Sequence, residues 1–211
     1  GEFTEPTEIT ILPNLDILIA QRRGEIMLYK NGDSTVREIA KLDVYWKTDV
    51  PRVNAEEGLM GLQKDPEFSK NGYIFAFYSP KDKEVNRLSR FTFANDKLDL
   101  ASEKIVLEFY SQRDICCHTG GSIAFDKKGL LDLSTGDNST PFNQPTAFKN
   151  NGYAPLDDRP GFEQYDARRS SGNANDLRGK ILRIKVNEDG TYSIPDGNLY
   201  PEGTEGGRPE I

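Results

Sequence analysis

The sequence predicts an all-β fold, and within that class a β-propeller built from four-stranded antiparallel blades. Three observations support this prediction: short apolar or alternating runs recur along the chain, turn residues separate them, and groups of four runs repeat roughly every 40 to 60 residues. Four strands per cycle at a period of this size is typical of a propeller. A stacked β-sandwich would explain the strands but not the repeated turn positions.

Each cycle consists of short runs between turn residues, which indicate antiparallel strands. The first cycle covers residues 9–13, 16–20, 24–29 and 36–40. The second covers residues 58–62, 73–78, 86–93 and 104–109, and the third has runs at 121–125, 130–135 and 179–184. We therefore expect one partial propeller domain, residues 1–211, with blade-like repeats at about 6–45, 56–110 and 119–200.

Turn residues occupy matching places in the cycles. The first two strands of each cycle are separated by Pro13-Asn14, Asn71-Gly72 and Lys128-Gly129. The third strand is followed by Asn31-Gly32, Asn95-Asp96 and Asp189-Gly190. Asn-Gly and Asp-Gly favour the positive φ angles of tight hairpins, so these positions predict the connections between strands.

Three cycles do not close a ring, because propellers typically have four to eight blades. We therefore expect the chain to be the N-terminal part of a larger propeller. Residues 138–176 interrupt the third cycle with a long polar segment containing several Pro and Gly residues. Long loops inside compact domains are usually functional or disordered.

Composition excludes two classes of partner. The formal net charge is −7 and no basic stripe is visible, which argues against nucleic acid as the main partner. No apolar run approaches the roughly 18 residues that a membrane-spanning helix needs.

The segment 116–121, Cys-Cys-His-Thr-Gly-Gly, is the strongest functional signal. His118 is the only histidine, and Cys116 and Cys117 are the only cysteines. Histidine suits proton transfer near neutral pH, and the glycines allow backbone to approach a ligand closely. The alternative is a histidine that caps a strand beside two buried thiols. The cysteines could stay reduced, pair elsewhere or close a vicinal ring; in an oxidising compartment we expect the ring.

Six motifs in a fixed order carry a family resemblance. They are residues 6–9, 20–24, 56–68, 118–121, 134–138 and 177–184. Together they resemble the soluble quinoprotein glucose/sorbosone dehydrogenase family, six-bladed propellers that use pyrroloquinoline quinone (PQQ). The Cys-Cys-His form, with the loop at 157–161, is similar to a branch found in large secreted bacterial proteins. That likeness implies a periplasmic or extracellular location, and a cytochrome or carbohydrate-related module as a partner.

For His118 the resemblance implies the role of general base. In the family this histidine takes a proton from the C1 hydroxyl of a sugar while a hydride passes to the quinone. The chemistry is reasonable in itself, since a hydride leaves more readily from an alkoxide than from an alcohol. Asp137 ends an inner strand near the same rim, where it could orient His118 or close a turn. We take both as catalytic candidates.

Three further residues are candidates for cofactor binding. Glu56 lies near a position where the family has a polar group, although it could equally be a solvated loop carboxylate. Asn138 follows Asp137, and Arg178 is one of few cations available for the carboxylates of the quinone. Most of the family's basic cofactor ligands come from later blades, so we expect the present chain alone to be inactive.

Calcium is the ion that the resemblance implies. Oxygen-rich loops at 157–158 and 173–176 could supply ligands. The alternative is that their acids balance nearby arginines. Cys117 also stands where better-known members have a carboxylate, and Phe142 where they present polar groups, which leaves the sugar substrate open.

The leading hypothesis is thus a PQQ-dependent sugar or aldose dehydrogenase. A non-catalytic propeller that binds carbohydrate or a partner domain is the alternative. A lactonase-type hydrolase would need a cluster of Glu, Asn and Asp metal ligands at the central channel, which the sequence does not offer.

Overall fold

The computed structural model of the chain describes residues 3–48, 55–113, 118–139 and 156–211. These residues form three four-stranded antiparallel sheets, and helix is limited to three short turns among them. Within each sheet the strands follow chain order, as in the blades of a propeller. The predicted partial β-propeller is confirmed.

The three sheets are named blades 1 to 3. Blade 1 contains β1 (Pro6–Ile11), β2 (Ile17–Gln21), β3 (Glu25–Tyr29) and β4 (Val36–Lys41). Blade 2 contains β5 (Leu59–Lys64), helix α1 (Phe68–Asn71), β6 (Tyr73–Tyr78), β7 (Val85–Ala94) and β8 (Lys97–Tyr110). Blade 3 contains β9 (Gly120–Phe125), β10 (Leu131–Thr135), two 3-10 turns (Glu163–Tyr165 and Ala167–Arg169), β11 (Ile181–Val186) and β12 (Tyr192–Ser193).

Two details differ from the sequence prediction. Strand β8 begins at Lys97 rather than near residue 104, because Asn95 and Asp96 both have positive φ and fold the chain straight back onto β7. In blade 1 the positive φ falls on Ser34 instead of the predicted Asn-Gly pair. There the carboxylate of Asp33 accepts hydrogen bonds from the backbone and hydroxyl of Thr35, which stabilises a longer loop.

Apolar packing between adjacent blades holds the fold together. Leu18, Ile26 and Leu28 of blade 1 pack against Leu62 and Ile74 of blade 2. On the other face of blade 2, a second core contains Phe75, Phe77, Leu88, Leu131 and Leu182. Because side chains alternate along a strand, the continuous apolar run of β6 serves both cores at once.

The first strands of the three blades lie side by side and run in the same direction. The Thr7 hydroxyl donates to the Leu59 carbonyl (2.8 Å) and the Thr10 hydroxyl to Gln63 Oε1 (2.7 Å). The Gln63 amide in turn donates to the Ile123 carbonyl (3.4 Å). This order brings the beginnings of β1, β5 and β9 to one rim of the molecule.

Candidate functional site

The rim where the inner strands begin gathers two carboxylates and one imidazole, beside the guanidinium of Arg22. Glu5 precedes β1, Glu56 precedes β5 and His118 precedes β9. A cavity of about 310 Å³ opens here, lined by Glu5, Arg22, Ala55, Glu56, Met60, Thr119 and Gly120. His118 therefore lies where the inner strands begin and not on the outer edge of a blade.

His118 and Glu56 face each other across this rim. His118 Nδ1 lies 3.6 Å from Glu56 Oε2, and the two side chains are 49% and 40% exposed. This separation is longer than a direct hydrogen bond, so Glu56 faces the ring without fixing its orientation.

The backbone on either side of His118 is held by close contact with the end of β10. The His118 amide donates to the carbonyl of Asp137 (2.8 Å), and the Gly136 amide donates to the carbonyl of Thr119 (2.9 Å). A Cβ atom at Gly136 would lie only 2.5 Å from the carbonyl carbon and oxygen of His118. Glycine at position 136 is thus required for this approach.

Asp137 contacts His118 through its backbone, whereas its carboxylate turns to a group of serines. The carboxylate accepts hydrogen bonds from the hydroxyls of Ser139 (2.8 Å) and Ser170 and from the amide of Ser171 (3.2 Å). Burial would raise the pKa of Asp137, but these hydrogen bonds outweigh it and hold the pKa below its ordinary value. The carboxylate thus secures the segment after the second 3-10 turn.

Arg178 and Asn138 lie beneath the rim. Arg178 is 2% exposed and donates to the carbonyl of His118, while Nε donates to the carbonyl of Gly136 (2.8 Å). The other contacts of its guanidinium are to Ser111 Oγ (2.6 Å) and to Asn138 Oδ1 (3.2 Å). Burial lowers the pKa of Arg178 to about 10. Both residues are buried, and their expected role as cofactor ligands stays a prediction.

Two residues of this region, Arg22 and Glu57, were not predicted as site residues from the sequence. Arg22 donates from one terminal nitrogen to the carbonyls of Trp46 (2.7 Å), Ala55 (3.1 Å) and Glu57 (3.2 Å), and so fixes the segment that carries Glu56. Glu57 is 5% exposed, and burial raises its pKa despite the attraction of Arg178 and Arg113. The sequence shows both the motif around Arg22 and the adjacent Glu56 and Glu57. It does not show that Arg22 bonds the backbone beside them, because the two segments are more than 30 residues apart.

Asp157 and Asp158, two of the acids proposed as calcium ligands, are paired with arginine side chains. Arg159 donates to both oxygens of Asp157 (2.8 and 2.6 Å), and Arg168 bonds both Asp158 and Asp166. Within the described ranges, no three His, Cys, Asp or Glu residues come together as a metal site. The contacts favour the alternative in which these acids balance arginines, and the calcium expectation remains a prediction.

Three residues of the sequence analysis, Cys116, Cys117 and Phe142, lie outside the described residues. Their expected roles, including the vicinal disulfide, stay predictions. No helix in the part of the chain that the structure covers is long and apolar enough to cross a membrane.

Comparison with known proteins gives a consistent likeness. A family model described as Glucose / Sorbosone dehydrogenase matches residues 3–211. An uncharacterized protein of Synechocystis is 25% identical over 199 residues, covering 92% of this chain and 43% of that protein.

Solved structures agree with this match. A Thermus thermophilus protein, described as a candidate oxidoreductase (glucose dehydrogenase), is 26% identical with a TM-score of 0.72, over 100% of this chain and 52% of that one. The PQQ-bound aldose sugar dehydrogenase of Streptomyces coelicolor is 21% identical with a TM-score of 0.65, over 95% and 49%. The similarity to the Streptomyces protein shows a shared fold. The chain spans about half the length of these relatives.

Proposed function

The chain belongs to the glucose/sorbosone dehydrogenase family, and we propose that it forms part of a PQQ-dependent dehydrogenase that oxidises a sugar or aldose. One observation carries the proposal: the only histidine lies at the beginning of an inner strand, beside an open cavity, with a carboxylate 3.6 Å from its ring. A half-exposed imidazole in such a place is suited to take a proton from a bound alcohol.

His118 is the general base in this proposal. Its Nε2 takes the proton of the C1 hydroxyl, which strengthens the tendency of the C1 hydrogen to leave as hydride. The imidazole becomes positively charged in this step. Glu56, whose carboxylate lies 3.6 Å from Nδ1, stabilises that charge by electrostatic attraction.

The substrate we propose is a sugar with a free anomeric hydroxyl. The Thermus relative is described as a glucose dehydrogenase and the Streptomyces neighbour as an aldose sugar dehydrogenase. In this chain, Glu56 places carboxylate oxygens at the cavity, and such oxygens accept hydrogen bonds from sugar hydroxyls. The two oxygens of Glu5, at the same cavity, already accept from Arg22 and Arg23. A location outside the cytoplasm is part of the same proposal and rests on the resemblance to secreted proteins.

PQQ, when bound, supplies the hydride acceptor. Its three carboxylates need Arg or Lys partners. The guanidinium groups of Arg22, Arg169 and Arg178 each already donate to protein oxygens. The described residues therefore offer a base but do not by themselves fit the cofactor, and we assign its anchoring to the part of the family fold that this chain does not span.

The test is reconstitution of the complete polypeptide with PQQ, with and without calcium, followed by dye-reduction assays across aldoses. We expect quinone-dependent turnover of at least one aldose. If the complete protein binds PQQ to saturation and oxidises none of them, the proposal fails. Retained binding of carbohydrate in that case would favour the non-catalytic module.

A further inference from the structure

We propose that Arg178 is a positioning residue that fixes the backbone of His118 between blades 2 and 3. This role differs from the cofactor binding that the sequence analysis expects of Arg178. It rests on the role proposed for His118, but its main test does not use that role.

The contacts of Arg178 join three separate segments to one planar group. Three nitrogens of the guanidinium donate to oxygens of His118, Gly136, Ser111 and Asn138. Ser111 follows the last strand of blade 2, whereas Gly136 and Asn138 follow β10 of blade 3. The fixed fork of a guanidinium can satisfy such a set, whereas a lysine offers a single nitrogen.

Burial strengthens this argument. Arg178 is 2% exposed, and a buried cation is tolerated only when it is hydrogen-bonded and near opposite charge. The carboxylates of Glu57, Asp176 and Asp137 attract it, and Glu57 is itself buried in the segment that carries Glu56. The same buried charge thus bonds the backbone of His118 and attracts the residue next to Glu56.

Arg90 provides a matched control near the other end of the same blades. It is 6% exposed and donates to the carbonyls of Asn187 (3.0 Å) and Glu188 (2.9 Å), so it also connects blades 2 and 3. Its guanidinium stacks on the ring of Tyr73, with Cζ 4.0 Å from the ring centre. Loss of Arg90 should lower the stability of the protein without changing the structure around His118.

The experiment uses the single histidine as a spectroscopic probe. In the 211-residue chain labelled with ¹⁵N-histidine, the imidazole gives one set of ring signals, because His118 is the only histidine. We expect Arg178→Met to move these signals by more than their linewidth. Arg90→Met should lower the melting temperature yet leave the signals in place. Equal shifts in both variants, or none in Arg178→Met, would overturn the proposal.

Two milder variants keep the test decisive if Arg178→Met does not fold. Arg178→Lys keeps the charge, and Ser111→Ala removes one acceptor of the guanidinium. Both should move the same ring signals by smaller amounts, and unchanged signals in both would count against the proposal. In the complete enzyme, Arg178→Lys should lower kcat about tenfold or more with little change in KM. Moved ring signals together with a wild-type protein that oxidises no aldose would overturn the proposed function and leave the positional role standing.

Discussion

The interfaces between blades consist of apolar side chains, whereas the rim around His118 consists of ionisable and polar ones. Leu18, Leu28, Phe75 and Phe77 pack in the interfaces with no exposed surface. The rim instead consists of half-exposed ionisable groups above a buried polar layer that includes Arg178 and Asn138. Apolar interfaces tolerate exchange of one hydrophobic side chain for another, whereas each hydrogen bond of the rim depends on particular atoms.

This difference separates what stabilises the molecule from what performs its chemistry. Burial of apolar surface is the main favourable term in folding, and the interfaces supply most of it. The rim contributes geometry: it places an imidazole, a carboxylate and a cavity together. Changes in the interfaces should therefore alter stability first, and changes at the rim should alter activity first.

The largest expected effect concerns the completeness of the site. The 211-residue chain should show no detectable dye reduction with PQQ and aldoses under conditions in which we expect the complete polypeptide to be active. The reason is that Arg22 and Arg178, two cations that the structure describes near the rim, already bond protein oxygens. The two proteins would be assayed side by side at equal concentration. Turnover by the shorter protein close to that of the complete one would mean that the rim of this chain is a whole active site.

The next largest effect should come from a substitution that creates a cavity in the interface between two blades. Phe77 is completely buried between blades 2 and 3, so Phe77→Ala should lower the free energy of unfolding by about 3–5 kcal/mol. Urea denaturation measures this directly. Leu199→Ala, at a residue that is 71% exposed, is the control and should stay within about 0.5 kcal/mol. Similar values for the two variants would show that the interface is not tightly packed.

A substitution where the two regions meet should affect both. Gly136→Ala would place a Cβ 2.5 Å from the His118 carbonyl, and we expect a loss of about 1–3 kcal/mol together with displaced His118 ring signals. Gly32→Ala is the matched control, since a Cβ there has nothing within 4 Å. If Gly136→Ala behaves like Gly32→Ala in both measurements, the close approach described above does not exist in solution.

The smallest effect is a pH trend. Burial raises the pKa of Glu57, so its contribution to stability is complete below its ordinary pKa and is lost as the pH rises through the raised value. The wild type should therefore lose stability relative to Glu57→Gln as the pH rises above 4.5, the ordinary pKa of a glutamate.

Glu108 offers a control of opposite sign. Burial opposes its ionisation, but Lys83 and Arg87 hold its pKa below the ordinary value. Its contribution is therefore present above the ordinary pKa of 4.5 and lost below it, so the wild type should lose stability relative to Glu108→Gln as the pH falls below that value. Parallel trends in the two variants would contradict the electrostatic description.

Much of the fold was predictable from local patterns. Alternation and turn residues indicated eleven of the strands near their observed positions, since a strand between two apolar faces, such as β6, has a recognisable sequence. The length of β8 was not predictable from its polar first half. Its residues pair because the turn at Asn95 and Asp96 brings them back against β7, which is a tertiary effect.

The site was predictable only in part. His118 stood out by its rarity and its glycines, and the structure places it at the rim. The contacts of Arg178 and Asp137 could not be inferred, because the sequence does not show whether a charged side chain faces a ligand or bonds other groups of the protein. Apart from Ser139, the partners of these two side chains lie 33 to 67 residues away along the chain, beyond the reach of any local pattern.

The most direct test of the central claim is the rate at which the complete protein, reconstituted with PQQ, reduces the bound quinone with an aldose in a single turnover. We expect His118→Gln to lower this rate by about 10²–10⁴-fold while PQQ binding and the melting temperature stay near the wild-type values. A variant that reduces the quinone as fast as the wild type would show that His118 is not the base.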